Sequence, residues 1–484
     1  MLTNIATVLN NAYSFGATFH DSTIFQTVIW RSGLALTLPD SFGGLSFLHT
    51  HFSPINYLPN ALSYLMPIDR MTWFGLTYGI VYGLLLLVVF FILHRLFDAR
   101  TIPAFACTIL FYCSGQMTVG QFEPHQECAS ALFMVGFFVA WALDRWRWAV
   151  AMLLLNATVR EDCGALLAFP LCLLAVHAWW RERRTGVTPA TIRMFALALV
   201  SALLSVMVII VKRQYFSRFD VMSLVYYAPW PNSFAHLSGP VITGRLKSVV
   251  VTAQYIWMPG LLLCAAAAWL RDIRLTFAFV AYLPYWIFNF FSIFDMNAIL
   301  TSYKSFPFVV MLVWPAILAV RASAHRRHTF GLLQVAVLLA ASFGWHDGAA
   351  RFAAPTGIGQ LKQRWLLQPE TEHADIYRML EPRLDTDDLG LLRASAGVLA
   401  LYPYSFRRFD ASQVRDGVQD GAPYLQSLVW FAGDRDQPLT DQYLEKGRFP
   451  YRYRVIGTKL LIASRKPPEQ LPAFAGLIEV VQRP

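Results

Sequence analysis

Arg160, Glu161 and Asp162 stand side by side in the stretch VREDCG, Val159 to Gly164, between two apolar runs. An arginine offers a planar fork that grips phosphate or carboxylate through two parallel hydrogen bonds. The neighbouring carboxylates can hold a metal, accept from a sugar hydroxyl, remove a proton, or pair with Arg160 itself. An ionisable residue among membrane segments costs about 2.5–3.5 kcal/mol on insertion scales, so it marks a functional site by default. A purely structural ion-pair knot is the plainer alternative.

Other loops carry residues of similar promise. FHDSTIFQTVIW puts Asp21 ahead of an apolar and aromatic run, either as a base or as a helix N-cap. SFLHTHFSPINYLPNAL holds His49 and His51 among prolines that forbid a regular helix, and the histidines could be incidental. In GQFEPHQECA, Glu123, His125 and Glu127 alternate, so an extended chain would point all three the same way. Carboxylate, imidazole and carboxylate suit a divalent metal, magnesium or manganese, or a phosphate-sugar. A solvated loop capped at Glu127 is the alternative. FDMNAILTSYKSFP adds Asp295, Asn297, Tyr303 and Lys304, with Lys304 a second phosphate cation or a lysine snorkelling to the interface.

The elements that must position these residues are greasy. The 484 residues are 56% hydrophobic and only 14% charged, with a mean hydropathy of +0.44. Soluble domains carry about 25% charged residues, so the composition predicts a polytopic membrane protein. Apolar runs at 73–94, 102–114, 128–143, 147–158, 163–180, 193–212, 249–270, 275–294, 305–320 and 329–345 predict about ten membrane helices. A full span needs about 20 residues, so 102–114 and 147–158 are short and predict broken or tilted segments, or ones that stop at a cavity.

Loop charge orients the bundle. The loops at 95–101, 144–148, 181–193, 271–274 and 321–328 hold 13 Lys/Arg against four acids, and the alternate set holds nine against nine. The first set is therefore expected in the cytoplasm and VREDCG outside it. Read this way, the net charge of +10 reflects topology and predicts no nucleic-acid partner. Residues 1–20 lack the length and apolarity of a span and have no signal-peptide pattern, so a first helix is expected to be missing. Residues 346–484 hold 17 of the 30 acids and no long apolar run. They predict a soluble α/β domain outside the membrane, with AGVLALYPY and YRVIGTKLLIAS as strands, next to a membrane domain at 1–345. The six cysteines form no CxxC and imply neither a disulfide framework nor a structural zinc site.

HDSTIFQTVIW, HTHFSPINYL, FEPHQE and REDCG, in that order, resemble the successive motifs of a large bacterial and archaeal family of integral membrane proteins. The resemblance starts near Asn10, runs through the bundle and continues more faintly into LRASAGVLALYPYSFRRF and VIGTKLLIASRK. Two departures stand out. The helix that usually precedes the Asp21 motif is absent, and Glu123 and Gln126 replace the usual Asp and Pro. That family is grouped with the GT-C membrane glycosyltransferases, which resemblance therefore implies here. It implies a polyprenyl-phosphate-linked sugar donor in the bacterial inner membrane and an essential carboxylate in the first outward loop, the position of Asp21. The expected roles follow. Asp21, Glu161 and Asp162 are catalytic candidates, and His51, Arg160, Tyr303 and Lys304 substrate-binding candidates. Glu123, His125 and Glu127 are metal candidates. Partners would be the lipid-linked donor, membrane lipids and a glycan, lipid or protein acceptor. One base without a positioned nucleophile pair predicts inversion by direct displacement. A transporter or flippase for a lipid-linked or anionic solute is the alternative, although the chain has no visible repeat. A non-catalytic scaffold would tolerate alanine at Asp21.

Overall fold

The computed structural model describes residues 2–13, 20–37, 46–122, 124–216, 234–293, 298, 300, 303–343, 383, 387–389, 392–394, 425–432, 437–447 and 449–482. The chain forms two compact units. One comprises Met1–Ile5, Leu48–Ile55 and Tyr78–Leu367, and the other Ala6–Phe47, Asn56–Thr77 and Gln368–Pro484.

Helices dominate. In chain order they begin with α1 (Leu2–Tyr13), α2 (His20–Val28), α3 (Tyr57–Ser63), α4 (Arg70–Leu96), α5 (Thr101–Tyr112) and α6 (Gly115–Phe122). Next come α7 (Glu127–Ala142), α8 (Trp146–Ala157), α9 (Cys163–Glu182), α10 (Pro189–Tyr215), α11 (Gly239–Thr252) and α12 (Gln254–Leu270). Shorter turns follow as α13 (Phe277–Val280), α14 (Leu283–Phe290) and α15 (Trp314–Ala319), then the longer α16 (Ala324–Phe343).

All ten apolar runs contain helix, yet the number that can cross a bilayer is smaller than ten. Among the described residues four helical segments are long and apolar enough: α4, α9, α10 and Ile273–Phe290. Two more count if each bent pair is one span: α5 with α6, bent by 57°, and α11 with α12, bent by 78°. The excess has a physical cause. Hydropathy reads α7 as a span, but almost all of it is buried within the protein, and a helix that is apolar all round is an interior helix. At 12 residues α8 reaches only about 18 Å. The short run at 102–114 is the single helix α5, and the chain bends after it into α6.

In α10 the buried positions other than Met194 are small or polar, Ala198, Ser201 and Ser205 among them, whereas Leu199, Leu203, Met207 and Ile210 are exposed. This inverted pattern suits lipid, where close backbone approach replaces hydrophobic burial between helices. The α9–α10 hairpin is built accordingly. Thr188 caps α10, accepting from the Thr191 amide, and Pro189 fills the first helical position. A Cβ on Gly164 would lie 2.5 Å from the Ser201 carbonyl oxygen and 2.7 Å from Ser205 Oγ. The Ser201 hydroxyl donates to the Gly164 carbonyl at 2.8 Å, and the Ala165 amide donates to Ser205 Oγ at 2.8 Å. Gly164→Val is therefore expected to force the helices apart and destabilise the protein by about 1–3 kcal/mol. Thermal unfolding in detergent checks this, and an unchanged midpoint would remove the close approach from the argument.

Hairpin connectivity sorts the helix ends. The starts of α7 and α9 and the finishes of α8 and α10 share one end of the first unit. At the other end, Arg321 donates to the Trp141 and Ala142 carbonyls and pairs with Asp144 at 2.6 Å. Arg327 pairs with Asp98 at 2.7 Å, and Arg274 with Asp272 at 2.6 Å. Loops that the charge count places in one compartment are thus bonded to one another.

The second unit contains a five-stranded sheet of β1 (Leu392–Ala394), β2 (Ser427–Phe431), β3 (Tyr451–Val455), β4 (Leu460–Ser464) and β5 (Ile478–Gln482). Their order is β1-β2-β4-β3-β5, with β1 parallel to β2 and every other pair antiparallel. The YRVIGTKLLIAS run forms the β3–β4 hairpin, turning at Gly457 with φ of 75°. Leu428, Trp430 and Ala463 pack with Tyr443 of a helix, α17 (Gln437–Gly447). The C-terminal region thus carries a small, mainly antiparallel sheet with a helix against it, while the AGVLALYPY strand lies outside the described residues.

Candidate functional site

Three of the motif loops meet at the end of the first unit where α7 and α9 begin. The local frame is polar and tightly bonded. Asn156, in the last turn of α8, accepts from the Ser130 hydroxyl of α7 at 2.7 Å and donates to the Cys163 carbonyl at 2.7 Å. One buried amide therefore ties three helices together beneath the VREDCG turn. The Ile55 amide donates to the Thr158 carbonyl at 3.1 Å, fastening the HTHFSPI loop alongside.

Arg160 occupies the centre. It is 5% exposed and grips two carboxylates. Its Nε donates to Asp162 Oδ1 at 2.6 Å and its Nη2 to Asp162 Oδ2, a bidentate fork, while Nη1 donates to Glu127. Glu127 also contacts the His125 ring. Both Glu127 and His125 are buried, so FEPHQE folds back onto Arg160. Glu127 sits in the first turn of α7, while Gln126 occupies the capping position. The ion-pair knot considered from sequence is present.

A second group surrounds Glu161. His51 Nδ1 lies 3.1 Å from Glu161 Oε1, and the Phe52 amide donates to Oε2 at 3.2 Å. Lys212, in the last turn of α10, reaches Oε1 at 3.2 Å and donates to the Thr50 carbonyl at 2.6 Å. Burial alone would push the Glu161 carboxyl up, but His51, Lys212 and Arg160 outweigh it and hold the group well below the usual carboxylate range. For Asp162, burial is likewise outweighed by the Arg160 guanidinium beside it, with a smaller contribution from Lys304. Both carboxylates are therefore ionised at neutral pH. Since their folded pKa values are depressed, their stabilisation is complete above about pH 4.5. It is lost as pH falls below that toward the depressed values.

Lys304 is 2% exposed, so it does not snorkel to the surface. Sequence reasoning missed Lys212, because KR at the end of an apolar run looks like an ordinary helix end. It also missed Asn156, an interior residue of an apolar helix. Asp21 falls in the first turn of α2, in the second unit. The segment after α2 is held there by the Trp73 indole, which donates to the Ile29 carbonyl at 3.0 Å, and by Asn60, which accepts from the Ser32 amide at 2.9 Å. The side chains of Asp21 and Tyr303, with Glu123 and Asp295 altogether, lie outside the described residues. Among the described residues no three His, Cys, Asp or Glu side chains form a metal-binding group.

A family model described as a predicted membrane protein, DUF2079, matches residues 11–346 of the chain. No curated protein matches it.

Proposed function

The chain belongs to the DUF2079 family of predicted membrane proteins, and from that premise we propose that it is a multipass glycosyltransferase of the inner membrane. It would transfer a sugar from a polyprenyl-phosphate donor to an acceptor outside the cytoplasm, with the C-terminal α/β region on that side. The observation that carries this reading is the joining of HTHFSPI, FEPHQE and REDCG into one cluster around Arg160, with Lys304 acting on the same aspartate. A lipid-phosphate donor needs buried cations at one end of a bundle, and two lie here.

Charge and exposure suggest a division of labour. The Asp162 side chain is 35% exposed and Glu127 only 6%, so Asp162 is the partner that can yield the Arg160 fork to a phosphate. Leaving-group charge would then develop against a guanidinium fixed from behind by Glu127. Carboxylates already held in ion pairs are weak bases, which leaves Asp21 to take the acceptor proton during direct displacement with inversion. His125 and Glu127, with Glu123, remain the proposed oxygen and nitrogen donors for magnesium or manganese.

The test uses the purified chain in lipid with a panel of radiolabelled polyprenyl-phosphate sugars and endogenous acceptor extract. It is run with magnesium, with manganese and with chelator. Label should move from the donor to a new species, and Lys304→Met should reduce that transfer. If no donor is consumed but label crosses sealed vesicles, the transporter reading takes its place.

A further inference from the structure

A cavity opens at the end of α9 opposite the Arg160 cluster. It has a volume of about 560 Å³ and is lined by His177 and Arg181 of α9, Arg271, Asp272 and Arg274 after α12, and Arg326 of α16. A second cavity of about 400 Å³ shares His177, Arg181 and Arg274 with it and extends toward Trp141 and Met194. Arg160 precedes α9 and Arg181 closes it. Its 20 residues span about 30 Å, the thickness of a bilayer core.

We propose that this cavity is a second ligand site, at the end of the bundle that the charge count assigns to the cytoplasm, and that it binds a phosphate-bearing anion. Four guanidinium groups face one carboxylate in the main cavity. The C-terminal ends of α9 and α12 add about one negative charge between them, which leaves the site net positive. Asp272 engages Arg274 at 2.6 Å and Arg326 more loosely at 3.9 Å. In the second cavity Glu182 is engaged by Thr188, accepting from its amide at 2.7 Å and its hydroxyl at 3.1 Å. Arg321 there is occupied by Asp144. The Arg181 and Arg271 forks are both exposed and carry no ion pair in the described structure. Arg271 also stands at a helix C-cap with φ of 51°, a left-handed conformation where glycine is the usual residue. A non-glycine residue in this conformation at a cavity points to use of its side chain.

The depth of the cavity bears on the ligand. Exposed Trp179, Trp180 and Trp269 adjoin Arg181 and Arg271 in sequence, and exposed tryptophans mark the headgroup level of a bilayer. Planar guanidinium forks match phosphate oxygens in pairs. Both an anionic phospholipid headgroup and a free phosphate ion present that group. The site stands independently of sugar transfer at the other end.

The test titrates the purified full chain with dioleoyl phosphatidylglycerol, dioleoyl phosphatidylcholine or inorganic phosphate, and counts bound molecules by native mass spectrometry. Phosphatidylglycerol should be retained in preference to phosphatidylcholine. Arg181→Gln with Arg271→Gln should weaken its binding at least tenfold, while Arg183→Gln with Arg184→Gln, outside the cavity lining, should leave it intact. Binding of inorganic phosphate alone, with the same dependence on Arg181 and Arg271, would support the site with a soluble ligand. Circular dichroism and size exclusion check that each variant folds. Should the double variant fail to fold, exposed Arg271→Gln alone decides, with an expected loss of about threefold. Equal retention of both lipids, or equal binding by the cavity and control variants, overturns the proposal.

Discussion

Arg160→Met is expected to cost about 3–5 kcal/mol of stability, enough to abolish recovery of folded protein at the growth temperature. The cause is the carboxylate left behind. Glu127 is almost fully buried beside His125, and loss of Arg160 strands its charge without a compensating cation. Asp162, with a third of its side chain exposed, recovers part of its hydration and contributes less to the loss. Arg160→Lys should fall between the two, because a single ammonium cannot hold Glu127 while gripping Asp162 in a fork. The informative control is the double variant Glu127→Gln with Arg160→Met. Removing both charges should restore most of the stability, since it is the orphaned charge that costs, and a double-mutant cycle isolates the coupling. Thermal unfolding in detergent gives all four values. An Arg160→Met protein that melts with the parent would show that the cluster carries no structural weight.

Asp21→Asn is expected to lower sugar transfer by about 10²–10⁴-fold while leaving the fold and donor binding intact. Asparagine keeps the size of the side chain and can still accept a hydrogen bond, but it cannot take a proton. Glu161→Gln should behave differently. Its carboxylate bonds to the Phe52 amide, His51 and Lys212, so its loss should disturb the HTHFSPI loop and lower stability as well as rate. The assay of lipid-linked sugar transfer, repeated across donor concentrations, separates turnover from binding. Wild-type turnover by Asp21→Asn would remove Asp21 as the base and move that role to Glu161 or Asp162. If neither variant loses turnover, Asp162 alone of these carboxylates remains as the base, and Asp162→Asn decides.

Much of the cluster was legible because charge is scarce in this chain. With ionisable residues so few among the apolar runs, His51, Arg160, Glu161 and Lys304 stood out, and connectivity brought their loops to one end. Pairing was harder to read. Nothing in FEPHQE says that Glu127 will meet Arg160 rather than Glu123, since both choices satisfy alternation. Lys212 was invisible for a different reason. Its position in the last turn of α10 satisfies the helix dipole, so its type and place needed no further explanation. The apolar runs outnumber the candidate spans because hydropathy measures apolarity and cannot distinguish lipid from protein as the apolar partner. α7 is greasy because it is surrounded by other helices, whereas α10 is greasy because it is not.

Chain order gives the Arg160 cluster a history during synthesis. Glu127 and Arg160 flank the hairpin of α7 and α8, 33 residues apart, and both are made before α9. The Arg160–Glu127 pair can therefore form early, before Lys212 and Lys304 are made. His51 is already made when Glu161 appears, but Lys212 follows Glu161 by 51 residues. At about 5–20 residues per second, that is an interval of several seconds. Throughout it the Glu161 carboxylate has the histidine, an amide and the neighbouring Arg160 but no lysine, and the arrival of α10 completes the cluster and fastens the Thr50 loop with the same ammonium. A ribosome stalled shortly before Lys212 would thus hold a nascent chain in which Arg160 can already meet Glu127 while Glu161 still awaits its lysine.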